Sequence, residues 1–490
     1  MIAADSLSEL AHKLGVPLRG CDAPVGSVSI DSRTLMPGQL FVAVRGPRFD
    51  GHDYVQAAVA RGAAAVLVSR PPDLDCAWLQ VDDTDRALAR LGEMNRDAFR
   101  GTVLAVTGSC GKTSVKEMLA SIMGQSAPVL ATAGNLNNAY GVPLTLGRLE
   151  SVHRYAVVEM GTSSPGEIAH LTSMVRPHFS LVNNASASHV AGLLSLEGVV
   201  REKGAIFDRL PADGGAVINK DDAFCDEWKE RIAARFHCHG QPASIGTFSL
   251  SNSSATGWAS QTRSCDEGMH FVLHLDGHQA AVMLHFRGSH QVANACAAAV
   301  MAWKAGLTID AIVAGLEAAR PGAHRGQWFR GKEGCIVIDD SYNANPASMR
   351  AAVDSLAECK GRRILVVGDV SSEHATSPDE AAQTCRALGR YASSAGIDLL
   401  VTCGQSATDM QDGFQGAGRH FTDQGSLIGW LQSILAPDVT VLVKGSRLAA
   451  MEIVVEACLQ SPPARKSRTI IQKGIEQRKQ GAVHTDKSSG

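Results

Sequence analysis

Thr107-Gly108-Ser109-Cys110-Gly111-Lys112-Thr113 is the stretch of this chain whose residue types and spacing imply chemistry most directly. Its glycines let backbone N–H groups point inward, the N-terminus of a following helix adds partial positive charge, and Lys112 adds a full one. Thr113 sets a hydroxyl where Mg²⁺ would sit between phosphates, and Ser114 follows it into the helix. A full Walker loop opens with a glycine where Val106 stands, so this is a shortened form. The plain alternative is a glycine turn with an exposed lysine. An apolar strand before the loop and a helix after it favour a nucleotide phosphate site.

Two further strands end in polar residues. "RYAVVEMG" reads as a buried strand closing on Glu159, and in a parallel sheet that end opens on the ligand crevice, where a carboxylate can hold Mg²⁺. "LVNNASASHVAG" repeats the arrangement and carries His189, which is a ligand candidate or an ordinary structural histidine. The run His237-Cys238-His239 looks like a metal clip, but no second pair stands at zinc-finger spacing, so structural zinc is not expected.

The elements that must position these groups form three blocks. Residues 1–98 alternate short strands (Ser27–Ile30, Leu40–Val44, Ala64–Val68) with turns and a helical pattern from Tyr54 to Arg61, a small α/β unit. Residues 99–319 hold apolar strands at Val103–Val106, Tyr155–Val158 and Phe179–Val182, each followed by helix-compatible sequence, as a parallel sheet requires. Within this block, "MHFVLHLDGHQAAVMLHF" is two alternating runs about Asp276-Gly277, a hairpin signal. Residues 320–460 place strands at Cys335–Ile338, Arg363–Val367, Leu399–Thr402 and Val439–Val443 between helical stretches, a second doubly wound sheet. Residues 461–490 are polar and basic without apolar periodicity and are expected to be a disordered tail. The fold class is therefore α/β in three domains, a central P-loop ATPase-like domain with a parallel sheet and a C-terminal Rossmann-like domain among them.

Length agrees with three domains, since 490 residues at roughly 150 per domain give about that number. A formal net charge of −3 gives no reason to expect nucleic acid or an anionic membrane as partner. No apolar run approaches the ~20 residues of a membrane span, and no basic-then-apolar leader opens the chain. Twelve cysteines occur without a C-x-x-C pair, the usage of a reducing compartment. A soluble cytoplasmic monomer is expected.

Beyond single motifs, the ordered segments "DSRTLMPGQLFVAVRGPRFDGHDYVQAAVARGAAAVLV", "TGSCGKTSVKEML", "GNLNNAYGVPLTL", "VVEMGTSSPGEIAHL", "EKGAIF", "GSHQVANACAAA", "IDDSYNANPASM" and "LVKGSR" resemble the Mur ligase family over residues 27 to 455. "DDSYNANP" favours the branch that adds D-alanyl-D-alanine. The resemblance implies a ligase that uses ATP to phosphorylate the terminal carboxylate of UDP-N-acetylmuramoyl-tripeptide, after which the amine of D-alanyl-D-alanine opens the acyl phosphate. It implies a first Mg²⁺ at Thr113 and Glu159, and a second at His189 and a carbamylated Lys203. From the residues alone, Lys203 would be a surface helix lysine.

The same resemblance assigns nucleotide contacts to the loop Gly108–Ser114 and to Asn294, Arg325, Asp340, Tyr342 and Asn345. It assigns the UDP-sugar substrate to Ser32, Arg33, Asn135 and Asn138, and an anionic group across the interdomain cleft to Lys444 and Arg447. Turn and strand-end roles remain the alternative for these asparagines and for Asp340. Three departures stand out: Gln291 where the family has asparagine, Ala139-Tyr140 after "NLNN", and "SSEHATSPDE" after Gly368-Asp369. The last bears on the incoming amine more than on ATP. A paralogue joining a different amino acid or dipeptide to a carboxylate would carry the same motifs, and a nucleotide-binding scaffold without catalysis could keep the fold.

Overall fold

The computed structural model describes residues 1–46, 49–186, 190–265, 267–371, 375 and 377–460. His189, residues 372–374 and 376 of the loop after Asp369, and the tail 461–490 lie outside the described residues. Three main sheets follow one another along the chain, as the three blocks of the sequence anticipate.

The first sheet has the parallel strands Val28–Ser29, Leu40–Val42, Ala65–Val68 and Trp78–Gln80, with Leu18–Arg19 antiparallel at its edge. Leu40, Val42, Ala65 and Leu67 turn to one face and pack on the helices Leu7–Leu14 and Thr84–Ala98, while Phe41, Val66 and Val68 meet the helix Val55–Ala60 on the other.

The second sheet has nine strands, and the phosphate loop follows Thr102–Thr107, the third strand from one edge. Thr102–Thr107 lies between Tyr155–Glu159 and Phe179–Val182, all parallel. Its residues Val103 to Val106 are each 0% exposed, because both faces of the sheet are covered. Leu104 and Val106 join a core with the helices Lys112–Gly124, Ser289–Lys304 and Ile309–Ala318. Val103 and Ala105 join another with Gly141–Leu146, Glu167–Val175 and Cys225–His237. At the far edge, Gly268–Leu275 and His278–Leu284 pair antiparallel with Leu275 opposite His278. Asp276 (φ 49°) and Gly277 (φ 86°) make the two-residue turn, whose left-handed backbone suits this dipeptide. A further strand, Gly257–Cys265, extends the hairpin to a three-stranded meander.

The third sheet is parallel in the order Ile336–Asp340, Val439–Lys444, Arg362–Val367, Leu399–Cys403, Ala417–Phe421, with Gln327–Arg330 antiparallel at its start. Ile364 and Val366 face one core, Leu365 and Val367 the other. The helix Pro346–Ala357 starts where Asn345 and Ser348 cap each other's backbone and proline fills the first turn. His237 and Cys238 sit at a helix end, and no group of three metal-ligating side chains occurs among the described residues.

Candidate active site

Register sets the site. Glu159 pairs with Val106 and Val182 with Thr107, so three parallel strands end at one level, and the phosphate loop, Glu159 and Asn183 begin there together. This is the crevice at the carboxyl ends of a parallel sheet, at the point where the chain reverses its direction of winding.

Side chains from the neighbouring strand brace the loop. Asn184 Oδ1 accepts from Cys110 N at 2.8 Å, and the amides of Asn183 and Asn184 donate to Cys110 O at 2.9 and 3.1 Å. Asn183 also donates to Asn294 Oδ1 at 2.9 Å, and Asn294 donates to Gln291 Oε1 at 3.0 Å. Gly111 has φ 78°, and a Cβ there would lie 2.4 Å from Asn183 Nδ2 and 2.6 Å from Asn294 Oδ1, so only glycine fits. The helix Lys112–Gly124 follows directly, and its first amides, which have no intrahelical partner, open on the cleft with Thr113 and Ser114.

Lys112 Nζ donates to Gly108 O at 2.6 Å and Ser109 O at 3.3 Å. Its burial in the cleft lowers its pKa, with the Glu159 carboxylate acting in the opposite sense and Arg325 adding to the fall. Glu159 is 2% exposed. Its Oε1 accepts from Asn137 Nδ2 at 2.7 Å, while Oε2 is buried with no hydrogen-bond partner among the described residues. Lys203 is 1% exposed, deep beneath the loop, and burial, then the Lys112 ammonium, pushes its pKa down to about 7. Tertiary packing thus overturns the surface reading of that helix. Beside it, Glu202 accepts from the amides of Gly166 and Ile168, both at 2.7 Å, anchoring the helix Glu167–Val175.

The third sheet supplies the opposite wall of a cleft of about 820 Å³. The Arg325 guanidinium lies 3.9 Å above the Tyr342 ring. Asp340 pairs with Lys444, which is 2% exposed and also donates to Asn343 O at 2.9 Å. Asn345 Oδ1 caps its helix and accepts from the Cys110 thiol at 3.5 Å, a contact between second and third sheets.

Of the residues assigned to the UDP-sugar, Asn135 and Asn138 line the cleft, and Asn138 Oδ1 accepts from Gly141 N at 2.9 Å. Ser32 and Arg33 lie apart on the first sheet's domain, with Arg33 Nε and Nη2 on Asp31 at 2.8 and 2.9 Å. The Tyr140 hydroxyl donates to Asp85 Oδ2 at 3.0 Å and ties the two regions together. Arg447 pairs with Glu452 at 3.0 Å. His189 lies outside the described residues. Asn137, Asn183 and Asn184 were not among the expected site residues; the signal was present in "VNN", asparagines directly after a strand, and in "NLNN", which follows a strand by a short loop.

The fold and site define a class. Residues 24–96 match the Mur ligase family, catalytic domain, residues 106–302 the Mur ligase middle domain, and residues 324–447 the Mur ligase, glutamate ligase domain. The chain belongs to the Mur ligase family, whose members are ATP-dependent, ADP-forming ligases. Within that family it is 42% identical, over 92% of its length and 98% of the relative's, to the UDP-N-acetylmuramoyl-tripeptide–D-alanyl-D-alanine ligase of Escherichia coli (strain K12). It is 34% identical, over 92% and 97%, to the enzyme of that name from Haemophilus influenzae. A crystal structure of MurF from Acinetobacter baumannii superposes with a TM-score of 0.81 at 32% identity, covering 91% of this chain and 96% of that one.

Proposed function

We propose that this chain joins D-alanyl-D-alanine to UDP-N-acetylmuramoyl-tripeptide in peptidoglycan precursor synthesis, through an acyl phosphate, with release of ADP and phosphate. The observation that carries the site reading is the convergence of Lys112, Glu159 and Arg325 on one cleft between two sheets. A carboxylate does not react with amines because oxide is a very poor leaving group, and phosphorylation replaces it with phosphate. Carboxylate and triphosphate are both anions, so their approach needs positive charge fixed in advance.

The residues divide that work. The loop amides and Lys112 bind the phosphates, the Lys112 ammonium moving from the loop carbonyls to the more negative oxygens. Arg325 reaches in from the third domain, held flat by Tyr342, so the site is completed only when the domains face each other as they do here. Asn294, Asp340 and Asn345 frame the nucleotide edge, with Lys444 holding Asp340 in place. Ser32, Arg33, Asn135 and Asn138 accommodate the UDP-sugar end, and Arg447 stands near the cleft's rim. Domain boundaries fall near residues 98 and 319, in the connections between the sheets. No helix among the described residues is long and apolar enough to cross a membrane.

The donors also fit magnesium. Glu159 Oε2 is a buried carboxylate oxygen without a partner among the described residues, next to the helix that carries the Thr113 hydroxyl, the hard oxygen set this ion takes. Such an ion would neutralise phosphate charge. Lys203 with His189 would hold a second one if Lys203 is carbamylated, and its burial supports that: an amine driven toward its neutral form can add carbon dioxide and become an anionic oxygen donor. Phosphate release measured with D-alanyl-D-alanine against a panel of other amines tests the assignment. Turnover specific to another amine would replace this reading with that of a paralogue.

A further inference from the structure

Lys116 is one of the largest fully buried side chains in the protein, 1% exposed, on the helix that opens with Lys112 and Thr113. Spacings of three and four residues place it on the same helix face as those two, one turn deeper. Its ammonium pairs with Glu117 and donates to Thr132 O at 2.9 Å. Thr132 is itself 1% exposed, donates its N–H to Val157 O at 3.0 Å, and through Oγ1 accepts from Glu159 N at 2.9 Å. The chain then loops out and returns as Asn137, whose amide holds Glu159 Oε1 and whose carbonyl accepts from Gly161 N at 2.8 Å. The Glu159 backbone is therefore held by Thr132 directly and its carboxylate by Asn137, five residues further along the same chain segment, and Lys116 ties Thr132 to the Thr113 helix.

We propose that Lys116 is a positioning residue for the metal carboxylate, fixing the distance between Glu159 and Thr113 through the Thr132 carbonyl. The proposal rests on the reading that Glu159 and Thr113 share a divalent ion. The Glu117 side chain is 37% exposed, so Lys116 is not half of a buried ion pair, and the buried partner its ammonium reaches is the Thr132 carbonyl. What methionine would not supply is a directed bond to the Thr132 carbonyl, and ligand orientation by such outer partners governs metal affinity.

The test uses full-length protein with ADP bound, and Mn²⁺ as the probe ion, followed by electron paramagnetic resonance. Lys116→Met and Thr132→Val are expected to bind Mn²⁺ about tenfold more weakly, the low end for loss of an outer partner. Each variant leaves a buried backbone group without its partner, so melting temperatures are expected to fall by a few degrees, while KM for UDP-N-acetylmuramoyl-tripeptide stays near wild type, a split that general loosening of the fold would not produce. Wild-type Mn²⁺ affinity in both variants, with binding lost in Glu159→Gln, overturns the positioning role while leaving the metal site intact. Unchanged Mn²⁺ binding in Glu159→Gln overturns the metal reading and the proposal with it. Should Lys116→Met fail to fold, Thr132→Val decides alone.

Discussion

Asn137 donates to one oxygen of Glu159 at 2.7 Å, and the other oxygen of that carboxylate is buried with no hydrogen-bond partner among the described residues. A buried carboxylate oxygen without a donor costs the fold free energy, a cost that a bound cation would offset. Asn137 follows a loop and Glu159 ends a strand 22 positions later, so only the parallel pairing of Val129–Ala131 with Tyr155–Val157 brings them together.

Glu159→Gln tests that trade directly. With no metal or nucleotide present, a neutral amide should stabilise the protein by about 1 kcal/mol, because an unpaired buried charge is removed while Oε1 keeps its donor. Turnover should fall by about a hundredfold. Thermal melting of the apo protein and phosphate release check the two halves, and a melting temperature that drops would show that Glu159 is a structural acid.

Lys112→Ala should leave the melting temperature near wild type and lower ATP turnover by about 10²–10³-fold, the loss typical of one fixed charge-stabilising group. Near-normal turnover would remove the phosphate-loop assignment.

If the Lys203 amine carries a carbamate, Lys203→Ala should lose activity and recover part of it with a small carboxylic acid, which restores an anionic oxygen in the vacated space. Wild-type turnover in the unrescued variant would end that role. No recovery with any acid would separate the lysine from the carbamate.

His324 Nδ1 lies 2.7 Å from Asp339 Oδ2, on the turn that presents Arg325. That hydrogen bond raises the His324 pKa above 6.5, burial opposing it, with Glu452 also raising it and Arg447 lowering it. A histidine whose folded value exceeds its unfolded one contributes stability fully below the unfolded value and loses it as pH rises through the folded one. The melting-temperature difference between wild type and His324→Gln should therefore be largest below about pH 6.5 and shrink above it. A difference that stays level from about pH 5.5 to about pH 8.5 would mean the pairing carries no proton linkage.

Much of this architecture was legible because its signals are local. The strand before Gly108 and the Asp276-Gly277 turn each depend on residues a few positions apart. The edge strand Ala417–Phe421 was not legible: it is largely exposed, so it shows neither an apolar run nor alternation. Gln327–Arg330 is likewise only half-buried. The burial of Lys116 and Lys203 could not be read from the residues alone, for the opposite reason. A lysine on a helix reads as solvent-facing, and nothing in the neighbouring sequence announces that another element covers it.

The order of residues by itself determined a three-part α/β protein, its phosphate loop and the strand ends where ligands gather, since those follow from hydrophobic period and backbone conformation. Only the tertiary structure decided which polar side chains meet: Asn137 at Glu159, Asn184 on the loop backbone, Lys444 at Asp340, and a buried Lys203 within electrostatic reach of Lys112. Those pairings depend on strand register and on the two sheets facing across a cleft, and contacts between distant positions leave no periodic trace along the chain.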